Sequence, residues 1–462
     1  MTTSTHRPAA ASASPAGRIC LALLFSIQWA TAATFWVAPD GADSQPGTDS
    51  KPFRSIKRAQ QAASPGDTVF IRGGTYHLTD ADISKRESLI ASIVHLDKNG
   101  EKGRPISYLA KPGERPVFDC SKVKPDGLRV SAFRVRASWI HIKGLEVTGV
   151  QVTAKGHTQS ICFDNLGSYN IYEQLSMHDG QAIGLYITRG SDNLVLNCDA
   201  WKNHDFTSEG GRGGNTDGFG CHSPGRSPNN VFKGCRAWFN SDDGFDCINS
   251  GDGVTFINCW SFYNGYSPDF KRLGDGNGFK VGGYGVQPDT RFPTPVPRHR
   301  IGRSLAVRNP SSGFYANHHP GGIDWIHNSA FRNGTNFNFL GRSSDASSDI
   351  PGEGHKILNN LSYGSKRDFS NLSPANNHRE GNSFDSKAKL TDSDFLSLDE
   401  ASLTAPRKAD GTLPEIRFLR LASGNPLIDA GVSTNAPHKG AAPDVGAFEY
   451  QPRDSFAAGR TP

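Results

Sequence analysis

A small residue, an apolar one, a variable one and then Asn or Asp recur through the middle of this 462-residue chain. The pattern reads Ser176-Met177-His178-Asp179, Ala200-Trp201-Lys202-Asn203, Ala237-Trp238-Phe239-Asn240, Ser261-Phe262-Tyr263-Asn264, Ala306-Val307-Arg308-Asn309 and Ala330-Phe331-Arg332-Asn333, at offsets of 24, 37, 24, 45 and 24 residues. Equal short offsets mark a structural coil of 24 residues, with two coils enlarged by insertion. Short apolar strips that repeat at this period predict an all-β solenoid whose strands stack in register along one axis. Hairpins are not expected, because Asn-Gly turns between alternating strands are not apparent. Asn at the recurring corner suits a stack in which each amide bonds the next coil, and Asn also tolerates left-handed backbone.

A second strip follows the first: Asp217-Gly218-Phe219-Gly220, Asp243-Gly244-Phe245-Asp246, Asn277-Gly278-Phe279-Lys280 and Ser312-Gly313-Phe314-Tyr315. It begins three residues after Asn240 and Asn309, but residues 204–216 and 265–276 lengthen that step in two other coils. The extra length is therefore local to one corner. Composition agrees with a slender interior. Gly is 51 of 462 residues, hydrophobic residues are 36%, and mean hydropathy is −0.50, which disfavours long helices and membrane spans.

The ends complete one domain. Thr34–Val37 and Thr68–Arg72 read as strands and Ser55–Ala63 as an amphipathic capping helix, with Ile56 and Ala59 facing the first coil. The repeat fades from Ser365 to Asp385, and Asn425–Tyr450 closes with apolar strips. The expected organisation is a signal peptide at 1–32, a single solenoid domain at 33–450 and a tail at 451–462. Residues 1–32 hold Arg7, Arg18 and no acid, then an apolar run from Ile19 to Ala30 and a small-x-small end, Ala30-Thr31-Ala32. This pattern predicts export to the extracellular space or periplasm. The run is too short to span a bilayer, and no membrane partner is expected. Removing these two arginines takes the formal charge from +5 to +3, so nucleic acid is not an implied partner.

Seven cysteines remain after residue 32. Cys198, Cys235 and Cys259 share one repeat position, and Cys221 and Cys247 share another. Stacked small hydrophobes are the expected arrangement over disulfides.

Stacking converts the alignment into geometry, since equivalent residues on adjacent coils sit about 4.8 Å apart. Asp217 and Asp243 become neighbours, Asp242 lies beside them at the corner, and Asp246 alternates outward from inward Phe245. Four carboxylates thus gather at one surface site. A bound cation would offset their repulsion, and oxygen-only ligands favour Ca²⁺ over Zn²⁺; a solvated acidic edge is the alternative. Lys280 takes the position of Asp246 on the next coil, as a surface ion-pair partner or a catalytic base. Tyr315 follows it. Arg212, Lys271 and Arg272 lie in the two expanded corners, which would wall a groove. His204, His318 and His319 carry no assignment.

Asn215-Thr216-Asp217-Gly218-Phe219, Ser241-Asp242-Asp243-Gly244-Phe245-Asp246 and Gly276-Asn277-Gly278-Phe279-Lys280 resemble the family 9 polysaccharide lyases, the pectate lyases. Phe35-Trp36-Val37-Ala38-Pro39-Asp40-Gly41, Pro65-Gly66-Asp67-Thr68 and Pro443-Asp444-Val445-Gly446-Ala447-Phe448-Glu449-Tyr450 resemble exported β-helix lyases. The resemblance implies a right-handed parallel β-helix that cleaves polygalacturonate, an anionic polysaccharide, by Ca²⁺-assisted β-elimination. It implies Asp217, Asp242, Asp243 and Asp246 as calcium ligands and Lys280 as the base. With such a substrate Tyr315 could support a sugar, and Arg212, Lys271 and Arg272 could meet further carboxylates of the polyanion; each could equally be an exposed loop residue. A monomer is expected.

Two other functions fit parts of the pattern. A polygalacturonase-like hydrolase uses similar Asn-Thr-Asp and Asp-Asp motifs, but the Gly-His-Gly and Arg-Ile-Lys triplets of that pattern do not occur here. A non-catalytic glycan-binding β-helix would have no need of Lys280.

Overall fold

The computed structural model describes residues 31–284 and 292–451. The chain divides into Met1–Ala32 and Ala33–Pro462, and the second unit carries all the elements below. The expected signal peptide falls almost wholly outside the described residues, as does all but the first residue of the expected tail.

Three parallel sheets of 12, 10 and 11 strands run from Thr34 to Glu380, each coil giving one strand to each sheet over most of that span. The fold is the expected parallel β-helix. Strand register confirms the repeat from Ala200 onward: Ala200 pairs with Ala237, then Ser261, Ala306 and Ala330. The first unit is displaced by one residue, because Met177, not Ser176, pairs with Ala200. Met177 is the inward apolar side chain of its strand, and burial outranks the small-residue match that aligned Ser176. The repeat also persists further than its sequence signal, since Phe369–Ser370 and His378–Glu380 still pair with the preceding coils. Two local antiparallel pairs interrupt the parallel scheme, Lys85–Glu87 with Ile90–Leu96 and Leu340–Arg342 with Asp349–Pro351.

The interior is a column of stacked side chains. On the 11-stranded sheet Phe219, Phe245, Phe279, Phe314 and Phe337 stack with centroids 4.7–5.1 Å apart and planes within 12°. Aromatic stacking of this kind adds to burial and fixes the register of everything on the opposite face of the same strands.

The corner asparagines form a buried amide ladder. Asn203 Nδ2 donates to Asn240 Oδ1 at 3.0 Å, Asn240 to Asn264 at 2.9 Å, and Asn309 to Asn333 at 2.9 Å. The left-handed backbone is taken by the residue before each Asn, with φ of 53° at Lys202, 53° at Phe239, 61° at Tyr263 and 51° at Arg308. Asn is therefore selected here by its amide and not by its backbone freedom. A second ladder, unmarked by the repeat, links Asn193 to Asn230 and Asn328 to Asn360 and Asn382.

Helix α1, Ile56–Ala62, caps the first coil. Ser55 accepts from Arg58 N at its start, and Ile56 and Ala59 are buried, as expected. The seven described cysteines are all free and buried, so they serve as packing residues. The closing segment does something different from sealing the open end. Phe395, Leu403, Ile416, Phe418, Leu427 and Val445 pack with Trp260, Phe262, Leu305, Val307 and Phe331 in a second apolar cluster, covering the outer face of the 10-stranded sheet. Arg407 and Arg236 both clamp buried Asp199, at 2.6 and 2.8 Å. Burial raises that carboxyl's pKa, but the two guanidiniums outweigh it and hold it below the usual range.

Candidate active site

The inward Phe column dictates what lies outside it. Outward neighbours pair in register as Asp164, Tyr186, Gly220, Asp246, Lys280, Tyr315 and Asn338. Asp246, Lys280 and Tyr315 thus occupy consecutive rungs, as the alignment of the strips predicts.

Asp217, Asp242 and Asp243 come from the corners that begin two adjacent strands, and each offers an oxygen within 4.8 Å of the others. They are not at the surface. Their exposures are 3, 5 and 0%, and that of Asp246 is 5%, because the expanded corners cover them: Gly274 N bonds Ser241 O, and Asp275 N donates to Asp242 Oδ1 at 2.8 Å. Backbone and amide donors fix the remaining oxygens. Asn277 N and Nδ2 donate to Asp243 Oδ1 at 2.6 and 2.9 Å, and Asp243 N donates to Asp217 Oδ1 at 3.1 Å. Asp243 Oδ2 is buried and faces the Lys280 ammonium.

Lys280 closes the cluster. Its Nζ lies 3.1 Å from Asp243 Oδ2 and 3.4 Å from Asp246 Oδ2. A third acid, Asp275, reaches it at 3.4 Å from the 265–276 corner. Asp275 escaped the sequence reading because it sits inside an insertion, outside the repeat. So did His222, whose Nε2 is 3.4 Å from Asp246 Oδ1; two residues beyond bare Gly220, it aligns with no marked strip position.

The charges compete strongly. Burial raises Asp217, and Asp242, Asp246 and Asp243 push it further. Burial and then Asp243 raise Asp242 well above the carboxylate range. Asp243 rises to about 6, burial outweighing the help of Lys280. Asp246 is pulled below the usual range, since Lys280 and His222 overcome its burial. For Lys280 burial alone would lower the pKa, but the surrounding carboxylates Asp243, Asp246, Asp242 and Asp217 turn the shift far upward. Without a cation the cluster keeps its lysine charged and favours protons on Asp217, Asp242 and Asp243 but not on Asp246. An all-oxygen set of three buried carboxylates, each with an oxygen within 4.8 Å of the others, fits a hard divalent cation.

The other sequence-derived residues lie apart. Arg212 is exposed after the turn Glu209–Gly211. Exposed Lys271 pairs with Asp269 at 2.7 Å, and Arg272 Nη2 donates to Ser311 Oγ at 3.0 Å. No hydrogen bond or ion pair joins these three to the carboxylates among the described residues.

Comparison with known proteins agrees with this geometry. The pattern of the Pel9A-like right-handed β-helix region matches residues 35–360. Pectate lyase L of Dickeya dadantii is 36% identical over 422 residues, 90% of either chain. Pectate lyase PEL9 of Emericella nidulans is 28% identical over 418 residues, 86% of this chain and 94% of that one. The structure of pectate lyase Pel9A superposes with a TM-score of 0.73 at 34% identity, covering 91% of this chain and 96% of that one. That of a rhamnogalacturonan lyase superposes at 0.81 and 44%, covering 85 and 97%. The chain therefore belongs to the Pel9A-like right-handed β-helix family, that of the family 9 polysaccharide lyases.

Proposed function

We propose that this protein is a secreted, monomeric, calcium-dependent lyase that cleaves polygalacturonate by β-elimination with Lys280 as the base. The observation that carries the reading is the placement of Lys280 Nζ 3.1 Å from Asp243, beside the gathered carboxylates of Asp217, Asp242 and Asp243. Asp217, Asp242 and Asp243 would hold Ca²⁺, with Asp246 as the fourth acid. When bound, the cation supplies charge neutralisation at a uronate carboxylate, which acidifies the adjacent C5 proton.

Lys280 must be neutral to accept that proton, and its pKa is raised by carboxylates alone. Once their charge is offset, the buried ammonium no longer has the support that keeps it protonated. Its Nζ then takes the C5 proton, the C4–O4 bond breaks, a C4–C5 double bond forms, and the departing oxygen takes a proton from water. Asp246, held between Lys280 and His222, orients the amine. Tyr315 on the next rung supports a sugar, and Arg212, Lys271 and Arg272 engage further carboxylates of the polyanion.

An inverting hydrolase reading is disfavoured by distance. Inverting hydrolysis needs acid and base about 6.5–9.5 Å apart with water between them, whereas oxygens of Asp217, Asp242 and Asp243 lie within 4.8 Å of one another.

One observation favours a second substrate. The rhamnogalacturonan lyase structure is more similar, at 44% identity, than the Pel9A structure at 34%. Elimination at a galacturonate within an alternating rhamnose–galacturonate backbone needs the same residues. Ultraviolet absorbance of unsaturated product, measured on both polymers with Ca²⁺ and with chelator, tests the reading. Calcium-dependent product from either polymer supports the lyase and identifies its substrate; full activity in chelator or saturated products would refute it.

A further inference from the structure

The outward ladder that carries Lys280 has one bare rung. Gly220 pairs with Asp246 on one side and Tyr186 on the other. A Cβ at Gly220 would lie 2.6 and 2.8 Å from Cδ2 and Cε2 of Tyr186. The Tyr186 ring thus leans across the gap toward the acid cluster. The ring also meets His222, two residues after Gly220, at 4.7 Å between centroids, and His222 is the neighbour of Asp246.

The ring is held, but the hydroxyl is not used. The hydroxyls of Tyr76, Tyr172, Tyr263 and Tyr284 each donate to a neighbouring oxygen. That of Tyr186 donates to no described residue, and it is not among the sealed, unpartnered polar atoms. The residue is 8% exposed. Burial, followed by the charges of Asp246 and Asp217, raises the phenol's pKa. A protonated donor therefore opens on the face that bears Lys280. Three coil steps separate the two residues, about 14 Å at about 4.8 Å each, and the lean toward Gly220 shortens the reach. One coil step is close to the length of one sugar in an extended glycan.

We propose that Tyr186 is a substrate-binding residue, whose hydroxyl donates to a sugar bound two to three subsites from the cleaved residue on the Asp246 side. This rests on the lyase reading above. A ring that merely fills the Gly220 gap would need no hydroxyl, so Tyr186→Phe separates the two roles.

The test compares wild type and Tyr186→Phe on graded oligosaccharides, trimer to octamer, of galacturonate and of alternating rhamnose–galacturonate. Wild-type kcat/KM should climb once the chain is long enough to reach Tyr186. In Tyr186→Phe that climb should be smaller by about three- to tenfold, the worth of one net hydrogen bond. The loss should fall on KM and not kcat, with thermal stability and Ca²⁺ affinity as in wild type. Gly220→Ala, which displaces the ring, should flatten the same length dependence. An unchanged length dependence in Tyr186→Phe overturns the assignment while leaving the lyase reading intact. A wild-type protein that releases no unsaturated product overturns both.

Discussion

Removing calcium should invert the pH dependence of stability, and the structure sets both sign and size. In the metal-free protein Asp243 titrates at about 6 instead of its ordinary 3.8. The folded state then binds more protons than the unfolded state between these two values, so stability falls as pH rises across that window. About two units at 1.36 kcal/mol each give roughly 3 kcal/mol lost from Asp243 alone. Asp217 and Asp242 are shifted the same way and deepen the loss. Asp246 is shifted down and is already ionised throughout the window. With Ca²⁺ present the ionised carboxylates are the binding form, so ligand stabilisation grows with pH, reaching about 2.7 kcal/mol at 100 times the dissociation constant. Thermal unfolding from pH 4 to 7, with chelator and with saturating Ca²⁺, should give curves that diverge as pH rises. Asp243→Asn should flatten the chelator curve. A metal-free protein whose stability is level or rises from pH 4 to 6 would refute the electrostatic account of the cluster.

Other perturbations follow from the same contacts. Asn264 Oδ1 accepts from Asn240 and its Nδ2 donates to Ala237 O, so Asn264→Ala should cost about 2–4 kcal/mol by leaving buried groups unpaired, read by denaturant unfolding. Gly244→Ala would place a Cβ 2.0 Å from Ser261 Oγ and 2.8 Å from Gly278 O; a loss of about 1–3 kcal/mol or more is expected from overpacking beside the acids. Arg407→Ala removes one of two clamps on buried Asp199. It should release the closing segment to limited proteolysis before the coils themselves are cut, at a cost below the ~3–5 kcal/mol of an unpaired buried charge, because Arg236 still holds Asp199.

Much of the fold was legible because a solenoid repeats its physics. Phe219, Phe245, Phe279 and Phe314 share a register that sequence alignment alone recovers, and that register carries Asp246, Lys280 and Tyr315 with it. The Asn ladder was legible for the same reason, although the left-handed strain proved to sit on Lys202, Phe239, Tyr263 and Arg308. What escaped detection lies where the period is broken. Ser176 was matched on size, whereas the strand registers on buried Met177. Asp275 approaches Lys280 from an insertion, and His222 approaches Asp246 beside a rung with no side chain. The burial of the four acids was also missed, because it comes from the corners at 204–216 and 265–276 folding over them, a tertiary effect with no periodic signature.

The central claim is that Lys280 is the base of a calcium-assisted elimination. The most direct test is the rate of unsaturated-product formation by Lys280→Ala in saturating Ca²⁺, with calcium affinity measured on the same preparation. The account predicts a fall of roughly 100- to 10,000-fold, the usual contribution of a positioned base, with calcium still bound. A variant that binds calcium and keeps product formation within a few-fold of wild type would contradict it.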